Sequence, residues 1–119
     1  MSKVKEITGT EFDAFIQASQ ADDEIAVVDF FATWCGPCKT LLNALEEEVE
    51  ALEVTGKVRI AKIDVGNEAQ LTTKYRIRAL PTVLFFRNGE VVYEMRSGVN
   101  FNTVKTALTQ LTTDIEDEF

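Results

Sequence analysis

Trp34-Cys35-Gly36-Pro37-Cys38-Lys39 contains both cysteines of this 119-residue chain. Two thiols separated by two residues can close and reopen a disulfide, staple a short loop, or supply half of a metal site shared with a second chain. On a helix, residues three apart have Cα atoms about 5 Å apart, a separation that a disulfide bridges. Pro37 suits a first helical turn, where its missing N–H costs nothing. There the unpaired amide groups and the helix dipole favour an anion, so a thiolate at Cys35 is stabilised. As a staple the pair does little, because closing a four-residue loop is worth roughly 2 kcal/mol on the chain-entropy relation, against about 3 for fifteen residues. Reversible redox exchange is therefore favoured, with the staple and the shared metal site as alternatives.

The rest of the composition narrows the field. The chain has no histidine, which excludes a Ser-His-Asp triad, a Cys-His nucleophile pair and any histidine-containing metal site within the chain. Its 12 basic and 20 acidic residues leave a net charge of −8, which argues against binding a nucleic-acid backbone. The charge is unevenly spread, with 3 basic and 12 acidic residues in 1–56 but 9 and 4 in 57–105. With 45% apolar residues, the composition is that of a globular chain that buries roughly 65% of its unfolded surface. The reading is a single domain over 1–119, with a core of about 4–112 and an acidic, frayed tail at 113–119. The first residues lack the apolar core of a secretory signal, and no apolar run approaches the roughly 20 residues that span a bilayer. A cytoplasmic monomer with no membrane association is expected, and in that compartment paired cysteines serve chemistry more often than architecture.

The elements that must position the cysteines follow from periodicity. A strand is expected at Lys3 to Ile7, and a helix from about Gly9 to Ala18 that buries Phe12, Phe15 and Ile16. Thr8-x-x-Glu11 has the form of a capping box, with Ile7 and Phe12 placed as a hydrophobic staple. Ile25-Ala26-Val27-Val28-Asp29-Phe30-Phe31 is the near-continuous apolar run of a strand covered on both faces, interrupted by one charge, Asp29. After the cysteines, Leu41, Leu42, Leu45, Val49 and Leu52 form a helical stripe opposite Glu46, Glu47, Glu50 and Glu53, and Gly56 ends that helix. A strand at Val58 to Val65 and a short helix opened by Asn67, carrying Leu71 and Tyr75, come next. Strands at Thr82 to Phe86 and Val91 to Tyr93 flank Asn88-Gly89, a strong hairpin signal. An amphipathic helix closes the chain, with Phe101, Val104, Leu108, Leu111 and Ile115 on one side. The order β-α-β-α-β-α-β-β-α predicts a mixed sheet in which crossovers supply parallel strands and the hairpin an antiparallel edge.

Trp34 to Lys39, Val28-Asp29-Phe30, Ala61-Lys62-Ile63-Asp64, Tyr75 to Thr82, Asn88-Gly89 and Gly98 together resemble the thioredoxin family in order and spacing, over roughly residues 4 to 112. The resemblance implies an α/β thioredoxin fold, a central mixed five-stranded sheet flanked by four helices, and a protein-disulfide reductase that binds no cofactor. It implies that Cys35 is the exposed nucleophile and that Cys38, deeper, resolves the mixed disulfide. The resolving thiol needs a base, for which Asp29 is the candidate, since burial raises a carboxyl's pKa toward neutrality. Lys62, on the adjacent strand, matches the lysine that tunes this acid. Pro81 matches a cis-proline facing the disulfide, with Arg78, Ala79 and Leu80 as a groove wall that pairs with extended substrate. Trp34, Gly36, Pro37 and Gly98 complete the substrate-binding set. The implied electron donor is a flavin-dependent, NADPH-using thioredoxin reductase, and the implied acceptors are ribonucleotide reductase, peroxiredoxin and methionine sulfoxide reductase. Oxidase and isomerase relatives usually place histidine between the cysteines, so Gly36-Pro37 favours a reductant. A non-catalytic binding module on the same fold is the alternative from another class. Phe31, Asn43 and Ala79 depart from residues frequent in the family (tryptophan, proline and glycine). The loss of proline at 43 predicts a straighter helix.

Overall fold

The computed structural model describes residues 4–117, with side chains described through residue 113. Among them, five strands form one sheet in the order β1-β3-β2-β4-β5. The elements are β1 (Lys5–Glu6), α1 (Gly9–Ala21), β2 (Ile25–Phe31), α2 (Gly36–Glu53), β3 (Val58–Asp64), α3 (Ala69–Lys74), β4 (Thr82–Arg87), β5 (Glu90–Met95) and α4 (Phe101–Asp117). β1, β3 and β2 run parallel, whereas β4 is antiparallel to β2 and β5 to β4. The mixed sheet and its antiparallel edge match the expectation from the element order.

Local signals explain most boundaries. The Glu11 carboxylate reaches back to the Thr8 N–H at 3.0 Å and to its hydroxyl at 3.1 Å, while Ile7 and Phe12 are both buried in one cluster, as a capping box with a staple requires. Asn88 (φ 54°) and Gly89 (φ 80°) are both left-handed, the backbone of a type I′ two-residue hairpin. Gly56 adopts φ 72° just beyond α2.

Several boundaries differ from the periodicity reading. Lys3 lies outside the described residues, and β1 is confined to Lys5 and Glu6, with the Ile7 N–H still donating to the Lys62 carbonyl at 3.0 Å before α1 begins. α1 runs three residues past Ala18, and Phe15 is half-buried rather than core. α3 begins at Ala69 instead of Asn67, leaving Tyr75 as its C-cap. Asn67 instead caps the turn after β3, its N–H donating to the Asp64 carbonyl at 3.1 Å. α2 passes through Asn43 as one helix. α4 extends through Asp117, so most of the acidic segment read as a frayed tail continues that helix. Glu118 and Phe119 lie outside the described residues, as does the side chain of Ile115.

Strand alternation divides the core into two layers. Ile25, Val27, Val58, Ile60, Val83 and Phe85 pack with Leu41, Leu45 and Val49 of α2 and with Val104 and Leu108 of α4. Ala26, Val28, Phe30, Ala61, Ile63, Leu84 and Phe86 pack with Phe12 and Ile16 of α1 and with Leu71. In the second layer Tyr75 stacks on Phe12 at 5.7 Å and on Phe86 at 5.6 Å between ring centroids. Such pairs contribute about 0.5–1.5 kcal/mol each beyond area burial, and here they anchor the end of α3 from which the chain enters residues 76–81.

Candidate active site

Cys35 and Cys38 form a disulfide with a Cα–Cα distance of 5.3 Å. They sit where β2 runs out of the sheet and α2 begins. Cys35 is the N-cap of α2, Pro37 occupies its first turn, and the Cys38 N–H donates to Cys35 Sγ at 3.2 Å. In this form the amide dipoles of the helix start are aimed at Cys35 Sγ, the geometry that favours an anion there.

The exposed nucleophile expected at Cys35 is only 6% exposed, and Cys38 is fully buried. Phe31, Ala32, Val65 and Leu80 pack around the pair. Cys35 is thus the less buried of the two by a small margin, and neither is exposed in the disulfide form. Trp34 is 79% exposed and belongs to no core cluster.

Asp29 is fully buried, and neither of its carboxylate oxygens has a hydrogen-bond partner among the described residues. Alternation from Ile25 and Val27 turns it toward α2, the helix that carries Cys38 in its first turn. Across the sheet Asp29 is in register with Lys62 of β3 and Val83 of β4. Desolvation raises its pKa from the ordinary 3.8 to about 7, with the Lys62 charge a smaller opposing influence. The Lys62 ammonium lies 3.8 Å from Glu46 Oε1 and 5.8 Å from the Phe31 ring centroid.

The other wall comes from the segment before β4. The Leu80–Pro81 peptide bond is cis, and Leu80 packs directly on the cysteine cluster. Arg78 and Ala79 are exposed and Pro81 is buried. The buried Thr82 hydroxyl donates to the Ala79 carbonyl at 2.6 Å, which fixes the turn into Pro81. Gly98 has φ 61°, and a Cβ there would meet nothing within 4 Å. Its backbone conformation is reason enough for glycine. Gly36 also faces open space.

Three residues escaped the sequence reading. Thr82 carried only the weak signal of a hydroxyl after X-Pro. Arg96 clamps the start of the wall, donating to the Arg76 carbonyl at 2.8 Å and the Tyr75 carbonyl at 2.9 Å while pairing with Glu94 at 2.8 Å. Arg76 holds φ 54° there. Glu46, read as part of a solvated row, is half-buried, and both its oxygens accept from the Val4 N–H at 3.1 Å. Nothing local distinguishes it from its exposed neighbour Glu47.

Comparison with known proteins agrees with this geometry. The family model described as Thioredoxin matches residues 3–110. A thioredoxin from Malassezia sympodialis is 35% identical over 101 residues, covering 85% of this chain and 93% of that protein. The crystal structure of chloroplastic thioredoxin z superposes with a TM-score of 0.78 at 29% identity, covering 95% and 97% of the two chains. A chain from a study of the thiol resolving mechanism in yeast mitochondrial 1-Cys peroxiredoxin via glutathione/thioredoxin systems gives 0.75 at 26% identity, covering 91% and 95%.

Proposed function

Because the chain belongs to the thioredoxin family and is a thiol–disulfide reductase, we propose that Cys35 attacks, Cys38 resolves and Asp29 takes the Cys38 proton. The carrying observation is the pairing of an N-capped Cys35 with a fully buried Cys38. In the reduced protein the Cys35 thiolate attacks one sulfur of a substrate disulfide, forming a mixed disulfide and releasing the first substrate thiolate. Cys38, deprotonated by Asp29, then attacks Cys35 Sγ and releases the second. Two electrons have moved to substrate, and the protein is left with the Cys35–Cys38 bond described above.

Lys62 moderates Asp29. Arg78, Ala79, Leu80 and Pro81 line one side of the substrate groove, Trp34, Gly36 and Pro37 the other, and Gly98 completes its edge. Electrons come from an NADPH-dependent flavoprotein thioredoxin reductase, and acceptors include ribonucleotide reductase, peroxiredoxin and methionine sulfoxide reductase. The neighbour from the 1-Cys peroxiredoxin study supports the peroxiredoxin among these. The working compartment is reducing, for which we propose the cytoplasm, since a four-residue disulfide loop serves a cycle better than a staple.

The test is insulin reduction by dithiothreitol. Catalytic amounts of the protein should shorten the lag before precipitation, and an unchanged lag would sink the reductase reading. Charge gives a second expectation, because Arg76 and Arg78 are both exposed beside the groove. Arg76→Glu with Arg78→Glu should lower kcat/KM on a disulfide peptide flanked by acidic residues about tenfold at low salt, with the gap closing in about 0.5 M salt. Equal loss on a basic-flanked peptide would count against electrostatic steering.

A further inference from the structure

Lys62 stands between two carboxylates. On one side it is in register with Asp29 across β2 and β3. On the other, its ammonium is 3.8 Å from Glu46 of α2, with the two side chains only 15% and 23% exposed. Glu46 cannot swing freely, since both its oxygens accept from the Val4 N–H, which ties α2 to the start of β1. We infer that Glu46 is a positioning residue that holds the Lys62 ammonium against α2 and so weakens, without abolishing, its pull on Asp29.

The arrangement has a clear electrostatic consequence. Asp29 keeps its proton up to neutrality only while no cation fully compensates its burial. An ammonium turned toward it, with no competing carboxylate, would favour the ionised form. The other charged groups near Lys62 are Glu6 of β1, exposed and in register with it, Asp64 two residues beyond it on β3, and Glu53 of α2, whose carboxylate accepts from the Ile60 N–H at 3.2 Å. Toward Asp29, α2 adds Cys38, held in the disulfide, whereas β4, β5 and α4 present the uncharged Val83, Met95, Val104 and Leu108. Phe31, on the Asp29 face, supports the Lys62 ammonium through its ring. Partial burial of Lys62 and Glu46 limits screening, so a single charge removed here is felt at Asp29.

The inference rests on the proposed role of Asp29 only for its catalytic meaning, and its test does not require that role. The Asp29 carboxyl is followed by carbon-13 NMR in the intact oxidised protein from pH 4 to 10. Glu46→Gln, which keeps an oxygen for the Val4 N–H, should lower the Asp29 midpoint by about one pH unit. Lys62→Met should raise it. In the Lys62→Met background, Glu46→Gln should lose most of its effect. Glu46→Met repeats the charge loss should the amide disturb the fold. An unmoved midpoint in Glu46→Gln overturns the inference. So does an equal drop with and without Lys62, which would mean direct repulsion between the two carboxylates. If the midpoint moves through Lys62 but the pH profile of mixed-disulfide resolution stays in place, Glu46 is confirmed in its positioning role and Asp29 is not the base.

Discussion

A Cys35→Ser variant leaves insulin reduction at the rate of dithiothreitol alone, a loss of more than about 10³-fold, while Cys38→Ser accumulates as a mixed disulfide with its substrate. The two outcomes differ because the two sulfurs occupy different environments. Cys35 caps α2, accepts from the Cys38 N–H and keeps 6% of its surface exposed, whereas Cys38 is fully buried. On the proposed mechanism substrate reaches Cys35 first, and the second attack comes from the more deeply buried Cys38. Mass spectrometry of Cys38→Ser protein after exposure to a disulfide peptide should show the peptide bound at Cys35. Equal trapping at Cys38 in the Cys35→Ser variant would overturn the assignment of roles.

Asp29→Asn stabilises the protein by about 4 kcal/mol at pH 8 and by almost nothing at pH 3. Below the ordinary carboxyl pKa of 3.8, Asp29 is protonated both in the unfolded chain and in the native state, and burial carries no charge penalty. Between there and about 7, the unfolded chain ionises while the native protein keeps its proton. Native stability then falls by about 1.4 kcal/mol per pH unit from this group. Above the folded value both states are ionised, and the full difference of roughly three units, about 4 kcal/mol, is retained as a penalty. Asparagine fills the same space without a charge and removes it. Urea unfolding of the two proteins from pH 3 to 9 measures the difference, and a gap independent of pH would contradict the account. The same substitution should slow mixed-disulfide resolution near neutral pH, so stability and turnover move in opposite directions. On the proposed mechanism, a buried carboxylate with that cost and no hydrogen-bond partner among the described residues is explained by the proton it carries.

Most of the architecture was legible because its signals are local. The Asn88-Gly89 turn, the Thr8–Glu11 cap and the apolar runs of β2 and β3 depend on backbone preferences and on periods of two or 3.6 residues. The errors also have local causes. Asn67 resembles a helix cap but serves the turn after Asp64. Asp29 stood out as the one charge in a buried strand. Glu46 did not, since the five glutamates of α2 look alike until the helix is laid on the sheet.

By itself the sequence determined the thiol pair, its place at a helix start, the order of elements and the chemistry those residues can perform. The tertiary structure alone decided that Lys62 lies in register with Asp29, that Glu46 pairs with the same ammonium, and that Arg96 clamps the carbonyls before the Pro81 turn. These depend on strand order and helix placement, where residues 16 to 42 positions apart are brought into contact. Such contacts are set by the summed packing of two core layers, and no short stretch of the chain encodes them.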